Sequence, residues 1–305
     1  MTARDYFEII DGQFPVRKGR AQKDAFLKYA QAIVHKMGYA CRVEENKGAL
    51  THRNLVVGEP VRARVVFTAH YDTPAMSLWP DLQTPRNPLF NLFYQMLITA
   101  LLLAVSFGVM LATHLLLGNA RLSLWMLPLT FVSLLALIQY GPANKHNRND
   151  NTSGLAALLA LMGQLPAEKR EQVAFILTDH SSQGALGARA YAKAHPQAQY
   201  TPLVIDLNCL GTGEIMGFAT RLARSHPAFE TLREALDGKV FNSNRGFAYA
   251  ADHSAFKCSV GLIACKKVPV LGWCVDRIHT RRDTVADPAV MQKAADRLTS
   301  FIHQL

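Results

Sequence analysis

Charge is scarce in this 305-residue chain: 18% of its residues are Asp, Glu, Lys or Arg, against about 25% in an ordinary soluble domain. Half of the residues are hydrophobic and the mean hydropathy is slightly positive, which excludes a disordered chain. Cysteine is sparse too. The five present (Cys41, Cys209, Cys258, Cys265, Cys274) are odd in number and form no CxxC pair. That excludes a disulfide miniprotein and fits free thiols in a reducing compartment. There is no internal repeat, no low-complexity linker and no G-x-S-x-G nucleophile elbow beside Ser181 and Ser182. The first 20 residues lack an apolar h-region, so no secretory signal is expected. The net charge of +10 is spread out, with no nucleic-acid motif behind it, so no nucleic-acid partner is expected.

The missing charge has an address. Between Arg86 and Lys145 the only charged residue is Arg121. Leu89 to Leu117 and Leu122 to Tyr140 are two apolar runs separated by Gly118-Asn119-Ala120-Arg121. A bilayer core about 30 Å thick takes roughly 20 apolar residues as helix, so the pair predicts an inserted transmembrane hairpin over 88–144. Its helices should run about 89–117 and 122–140, with Pro128 kinking the second. The alternative is a buried helical pair or an oligomerisation arm. A hairpin returns the chain to the side it left, so 1–87 and 145–305 should form one α/β domain. Arg86, Lys145 and Arg148 flank the hairpin and only Arg121 sits in its turn. The positive-inside rule therefore places that domain on the cytoplasmic side of an integral membrane protein. The bilayer itself is an expected partner, and the dispersed basic charge suits anionic lipid heads. His114, inside the first run near its end, reads as interfacial. Lys266-Lys267 and Arg281-Arg282 read as solvated or lipid-facing.

Outside the hairpin, strand and helix patterns alternate. Strands are expected at 40–45, 54–57, 62–69, 172–178, 203–207, 214–218, 260–264 and 270–275. Helices are expected at 21–37, 152–165, 184–194, 226–236 and 288–305. That order implies an α/β fold with a mostly parallel central sheet and helices on both faces. Ligands in such sheets bind at the carboxyl ends of the strands. The residues there are His70 and Asp72, Asp150, Asp179 to Ser182, Asp206 to Cys209, and His279.

These residues carry a resemblance to a family. His70-x-Asp72 at a strand end resembles the HxD of the co-catalytic zinc aminopeptidases, the group of aminopeptidase Y, bacterial leucyl aminopeptidases and glutaminyl cyclase. Asn149-Asp150-Asn151-Thr152-Ser153-Gly154 resembles the DDNASG-type segment, and Gln183 to Tyr191 the tail of GEEQGLLGSRAY. Asp252-His253-Ser254-Ala255-Phe256 resembles SDHxxF, and His279 to Thr284 resembles HTxxDT. Five segments in order span residues 62–305. The resemblance implies a zinc-exopeptidase-like fold and a metallopeptidase site. There, His70 and His279 would each ligate one zinc, Asp150 would bridge both, and Asp72 would fix the tautomer of His70. It also implies a cis peptide between Asp150 and Asn151, and a substrate-side loop at Asp252 and His253.

Three positions depart from the pattern. Counting back from Gln183-Gly184, the general base falls on Ser181 and a carboxylate ligand on Ser182; the remaining carboxylate ligand falls on Asn208. Loss of a general base alone typically costs 10²–10⁴ in rate. The expectation is a membrane-anchored pseudo-peptidase that binds a peptide or protein, with at most one tightly held zinc or none. The alternative is a residual aminopeptidase cleaving N-terminal residues with a single zinc on His70, Asp150 and His279. A third possibility is an assembly subunit whose hairpin docks a partner. Asp179, His180 and Asp206 are compensating candidates for base or ligand. Their bland readings are a turn cap, a partly exposed imidazole and a structural strand-end carboxylate. Cys209 reads as a buried structural thiol.

Overall fold

Apolar residues on alternating or helical periods build the molecule around one central sheet. The computed structural model describes residues 1–46, 51–77, 79, 81–200, 202–243 and 251–305. Two amphipathic helices come first, α1 (Ala3–Gln13) and α2 (Arg20–Lys36). The first was not expected from its periodicity. It is set by a capping box in which Thr2 and Asp5 exchange hydrogen bonds.

Strands β1 (Cys41–Asn46), β2 (His52–Val57), β3 (Val65–His70) and β4 (Asp81–Gln83) precede the two long helices, α3 (Pro88–Leu117) and α4 (Ala120–Tyr140). After them come α5 (Gly154–Gln164), β5 (Val173–Thr178), α6 (Leu186–Ala194), β6 (Leu203–Leu207) and β7 (Glu214–Ala219). The chain ends with α7 (Phe229–Ala235), β8 (Val240–Asn242), β9 (Ser259–Val268), β10 (Gly272–Ile278) and α8 (Pro288–His303).

The sheet runs in the order β1-β2-β5-β3-β6-β9-β10-β4, with β7 on β9 and β8 beyond it. Its centre, β5-β3-β6-β9, is parallel as expected, whereas β1, β2, β7, β10 and β4 join antiparallel. The sheet is therefore mixed. For two of these pairs the reason is local: β1 to β2 and β9 to β10 are linked by connections too short for a crossover helix.

Helices cover both faces, as the alternation implied. On one, α1, α2, α5, α7 and α8 pack on Leu55, Phe67, Phe175 and Ile205. On the other, α6 packs on Val66, Ile176 and Val204 through Ala188 and Tyr191. Helix α5 is buried on all sides, which explains its lack of a polar face.

Helices α3 and α4 are joined at Gly118, whose φ of 62° suits glycine. Both are long and apolar enough to cross a membrane, and only 11% and 6% of their most apolar windows are buried. Leu89, Phe93, Leu116 and Trp125 face outward. This excludes the alternative of a buried helical pair. The hairpin's ends converge: Met76 N–H donates to Pro142 O (2.8 Å) and Asn144 N–H to Pro74 O (3.0 Å).

Candidate active site

The site is built where the parallel strands end. His70 closes β3 opposite Thr178 of β5. Asp150 and Asn151 precede α5 through a cis peptide bond, as the resemblance implied. The Asn151 side chain joins two elements there. Its Nδ2 donates to Leu207 O (3.0 Å), and its Oδ1 accepts from Gly154 N–H and Cys209 N–H (both 3.2 Å). Gly154 is required by close approach, because a Cβ there would lie 2.4 Å from Leu207 O. Asp283 fastens the other side by accepting from Asn149 N–H (2.8 Å) and Asp150 N–H (3.1 Å).

The Asp150 carboxylate lies between two imidazoles. Its Oδ1 is 3.1 Å from His70 Nε2, and its Oδ2 is 2.7 Å from His279 Nε2. Each imidazole has a second acid behind it. Asp72 Oδ1 is 3.4 Å from His70 Nδ1, and Asp81 Oδ2 is 2.8 Å from His279 Nδ1. Burial alone would raise the carboxyl of Asp150, but His279 and His70 outweigh it and hold it far below the usual range. Burial opposes charge on both imidazoles as well. Asp150 and Asp72 nonetheless hold His70 well above its ordinary value, and Asp150 and Asp81 do the same for His279.

His70, Asp150, Ser181, Ser182, Asn208 and His279 line one cleft of about 230 Å³. Ser181 N–H donates to Asp72 Oδ1 (2.9 Å), and the Ser182 hydroxyl donates to Asp72 Oδ2 (3.1 Å). Asn208 Oδ1 accepts from Cys209 Sγ (3.0 Å), and burial pushes that thiol far up, so Cys209 stays a neutral, structural side chain.

The structure does not bring the compensating candidates to the cleft. Strand alternation puts Thr178 on the His70 face and Asp179 on the other. There Asp179 is paired with Lys23 Nζ (2.5 Å) and accepts from Arg53 N–H (3.3 Å). His180, in a left-handed conformation (φ 55°), contacts Lys23 and Gln183. Asp206 does share a face with Asn208 but lies deeper, accepting from Thr68 Oγ1 (2.9 Å) and His253 N–H (3.3 Å). Asp252 and His253 are buried beneath the cleft rather than at its substrate side; their neighbours Ala251 and Ser254 line it instead. Asp81 was not anticipated: β4 is three residues long and shows no periodicity. Arg17, fully buried, was also missed. It donates to Tyr71 O (2.6 Å), Asn147 Oδ1 (3.1 Å) and Thr152 Oγ1 (3.2 Å), tying the exits of β3 and the hairpin together.

Residues 141–304 match Peptidase family M28. The chain belongs to peptidase family M28. Among solved structures, this M28 chain is similar to Porphyromonas gingivalis glutaminyl cyclase at 14% identity, with 99% and 98% of the two chains covered and a TM-score of 0.63. A Zn-dependent exopeptidase from Parabacteroides distasonis gives 16% identity, 100% and 98% coverage and a TM-score of 0.62. A leucine aminopeptidase precursor from Bacteroides thetaiotaomicron gives 14%, 99% and 97%, and 0.60. At these identities the likeness is one of fold. No curated protein matches the chain.

One of these solved neighbours is a Zn-dependent exopeptidase, so the donor set of this chain is the test for zinc. A two-zinc centre needs negative oxygen donors beyond the bridge, and Ser181, Ser182 and Asn208 supply none. Among the described residues no cluster of three or more His, Cys, Asp or Glu is arranged to hold a metal ion. His70 and His279 sit on opposite oxygens of Asp150, which suits a bridge rather than one shared ion, but each of two ions would then have only one imidazole and that shared carboxylate. The residues present do not fit the two-zinc centre that the family pattern describes.

The buried acids have a consequence for stability. Asp252 is pushed up to about 7, by burial first and then by Asp206. Asp283 is also pushed up to about 7, chiefly by burial. An unfolded Asp titrates near 3.9, so between roughly pH 4 and 7 the folded state binds more protons, and stability falls as pH rises. The raised imidazoles act in the same sense: their contribution is full below roughly pH 6.5 and is lost as pH rises through their folded values. Asp150 and Asp72, both lowered, already contribute fully above roughly pH 4. The melting temperature in detergent should therefore fall between roughly pH 5.5 and 8.5. Asp252→Asn should raise it at the alkaline end and flatten the slope. A profile that rises with pH, or is unchanged in Asp252→Asn, would contradict this.

Proposed function

We propose that this M28 chain is a membrane-anchored pseudo-peptidase that binds a peptide or protein at the β3–β5–β6 strand ends. In this reading its hairpin crosses the bilayer and its single α/β domain faces the cytoplasm. The observation that carries it is the use made of the β5–α6 turn. Where the family pattern puts base and ligand carboxylates, Ser181 and Ser182 spend a backbone N–H and a hydroxyl on Asp72. Asp150 keeps both imidazoles, but among the described residues no other carboxylate lines the cleft beside them. The outward-facing apolar surface of α3 and α4 supports the anchor, and Arg86, Lys145 and Arg148 support the orientation.

The single-zinc aminopeptidase reading is less well supported, because it needs His70 and His279 to turn toward one ion. Elemental analysis of protein purified in detergent with added zinc tests the choice. Less than one tightly held zinc per chain is expected; one would favour the single-zinc reading, and two would overturn both. Alkaline extraction of membranes tests the anchor, with the chain expected in the pellet.

A further inference from the structure

A second cavity, of about 460 Å³, lies between the foot of the hairpin and the cleft, and Ser182 and His279 form walls of both. Its far wall is apolar: Ile98 and Leu102 from α3, Leu135 and Ile138 from α4. Its near wall is polar, with Asp81 and His279 from the sheet and Gln95 and Gln139 from the helices. Gln139 Nε2 also reaches Ser182 O (3.4 Å), so the hairpin touches the turn that borders the cleft.

Helix length fixes where this cavity sits in a bilayer. At 1.5 Å per residue, the 21 residues of α4 span about 31 Å, the thickness of a hydrocarbon core. Tyr140 then marks one boundary. Counting the same length back from Leu117 puts the matching level of α3 at Leu97. Tyr94, Gln95 and Gln139 lie at the headgroup boundary; Ile98, Leu102, Leu135 and Ile138 lie inside the hydrocarbon. The cavity thus straddles the interface, polar toward the cleft and apolar toward the lipid.

We infer that this cavity holds the acyl chain of a single-chain amphiphile, with its polar head against His279 and Ser182 at the mouth of the cleft. The inference rests on the membrane anchoring proposed above. An extended peptide is disfavoured as the occupant. Its backbone N–H and C=O groups would need partners at hydrocarbon depth, and the four apolar side chains offer none. Thr99, the one hydroxyl at that depth among the described residues lining the cavity, donates within its own helix to Gln95 O (2.9 Å). An acyl chain needs no partner there, while its head meets the polar wall.

Trp79 lines the cavity and reports on it. With Trp125→Phe and Trp273→Phe in place, it is the sole tryptophan. This protein is reconstituted in phosphatidylcholine vesicles containing stearic acid brominated at mid-chain, a contact quencher. Quenching should saturate, at a mole fraction about ten-fold below that needed when Thr99→Phe or Leu135→Phe fills the cavity; a ten-fold change is about 1.4 kcal/mol. Unbrominated stearic acid should reverse it. Leu116→Phe, at the far end of α3, should leave it unchanged. Quenching that rises in proportion to mole fraction, equally in all variants, overturns the inference. So does reversal by an apolar peptide but not by stearic acid. Flotation of each variant with the vesicles separates the two proposals: a chain that does not float sinks the anchoring and this inference together. One that floats without saturable quenching sinks this inference alone.

Discussion

Replacing Ser181 and Ser182 by glutamate and Asn208 by aspartate should lower the melting temperature of the zinc-free protein and make it climb steeply with added zinc. Three new carboxylates would face Asp150 across a cleft of about 230 Å³. Like charges in a partly desolvated site destabilise the fold. Ser182→Glu also removes the hydroxyl that donates to Asp72, whereas the Ser181 N–H bond belongs to the backbone and survives. Zinc then repays the repulsion. A ligand at a thousand times its Kd adds about 4 kcal/mol of stability. At about 2–4 °C per kcal/mol in a domain of 150–250 residues, the shift should exceed roughly 8 °C. The native chain, with neutral groups at those positions, should shift far less. Thermal melts over a zinc titration decide it. An equally large rise in the native protein would mean that its centre is already competent for metal.

Asp150→Ala is the second large effect, and its sign is informative. In a site arranged for metal, removing a ligand from the metal-free protein often relieves strain, so function-destroying variants are frequently more stable. Here Asp150 already has partners. Its loss leaves His70 and His279 without the carboxylate that holds both well above their ordinary values. Breaking a buried ion pair by removing one partner typically costs 3–5 kcal/mol. A loss at the upper end of that range is expected, because two imidazoles are stranded and His70 is almost wholly buried. Urea unfolding in detergent near neutral pH measures it. The loss should shrink as pH rises through the raised folded values of the two imidazoles, because neutral rings no longer need the charge. A variant more stable than the parent would show that Asp150 is held in waiting for a cation instead.

Much of this was legible in the residues. Alternating strand and helix patterns gave the α/β class, and charge depletion located the hairpin to within two residues at each end. The motif segments pointed to His70, Asp150 and His279, which the fold brings together. What escaped has physical reasons. The antiparallel rim depends on connection lengths, which strand composition does not reveal. Asp81 sits on a strand too short to show a period, and Arg17 lies two residues after Pro15 in a stretch with no pattern at all. Asp179 and His180 looked equivalent to Ser181 and Ser182 because adjacency in sequence hides direction. One left-handed residue, His180, turns the chain so that the first pair points to α2 and the second to the cleft. Asp283 was visible in the HTxxDT segment, but its clamp on the Asp150 backbone depends on a contact across the fold.

The position of β3 also sets the order in which the molecule can assemble. Both of its sheet neighbours, β5 and β6, lie beyond the hairpin in the chain. His70 leaves the ribosome about a hundred residues before the first strand that can flank it on either side. The whole of α3 and α4 is synthesised in that interval. The amino-terminal strands cannot close their core first and receive the hairpin afterwards. They must wait, with the edges of β3 unpaired, until α5, β5 and β6 arrive. Such long-range pairings form slowly and leave exposed edges open to misassembly. Deleting the hairpin therefore does more than remove the proposed anchor: it shortens that wait by some fifty residues, and folding yield should respond as well as location.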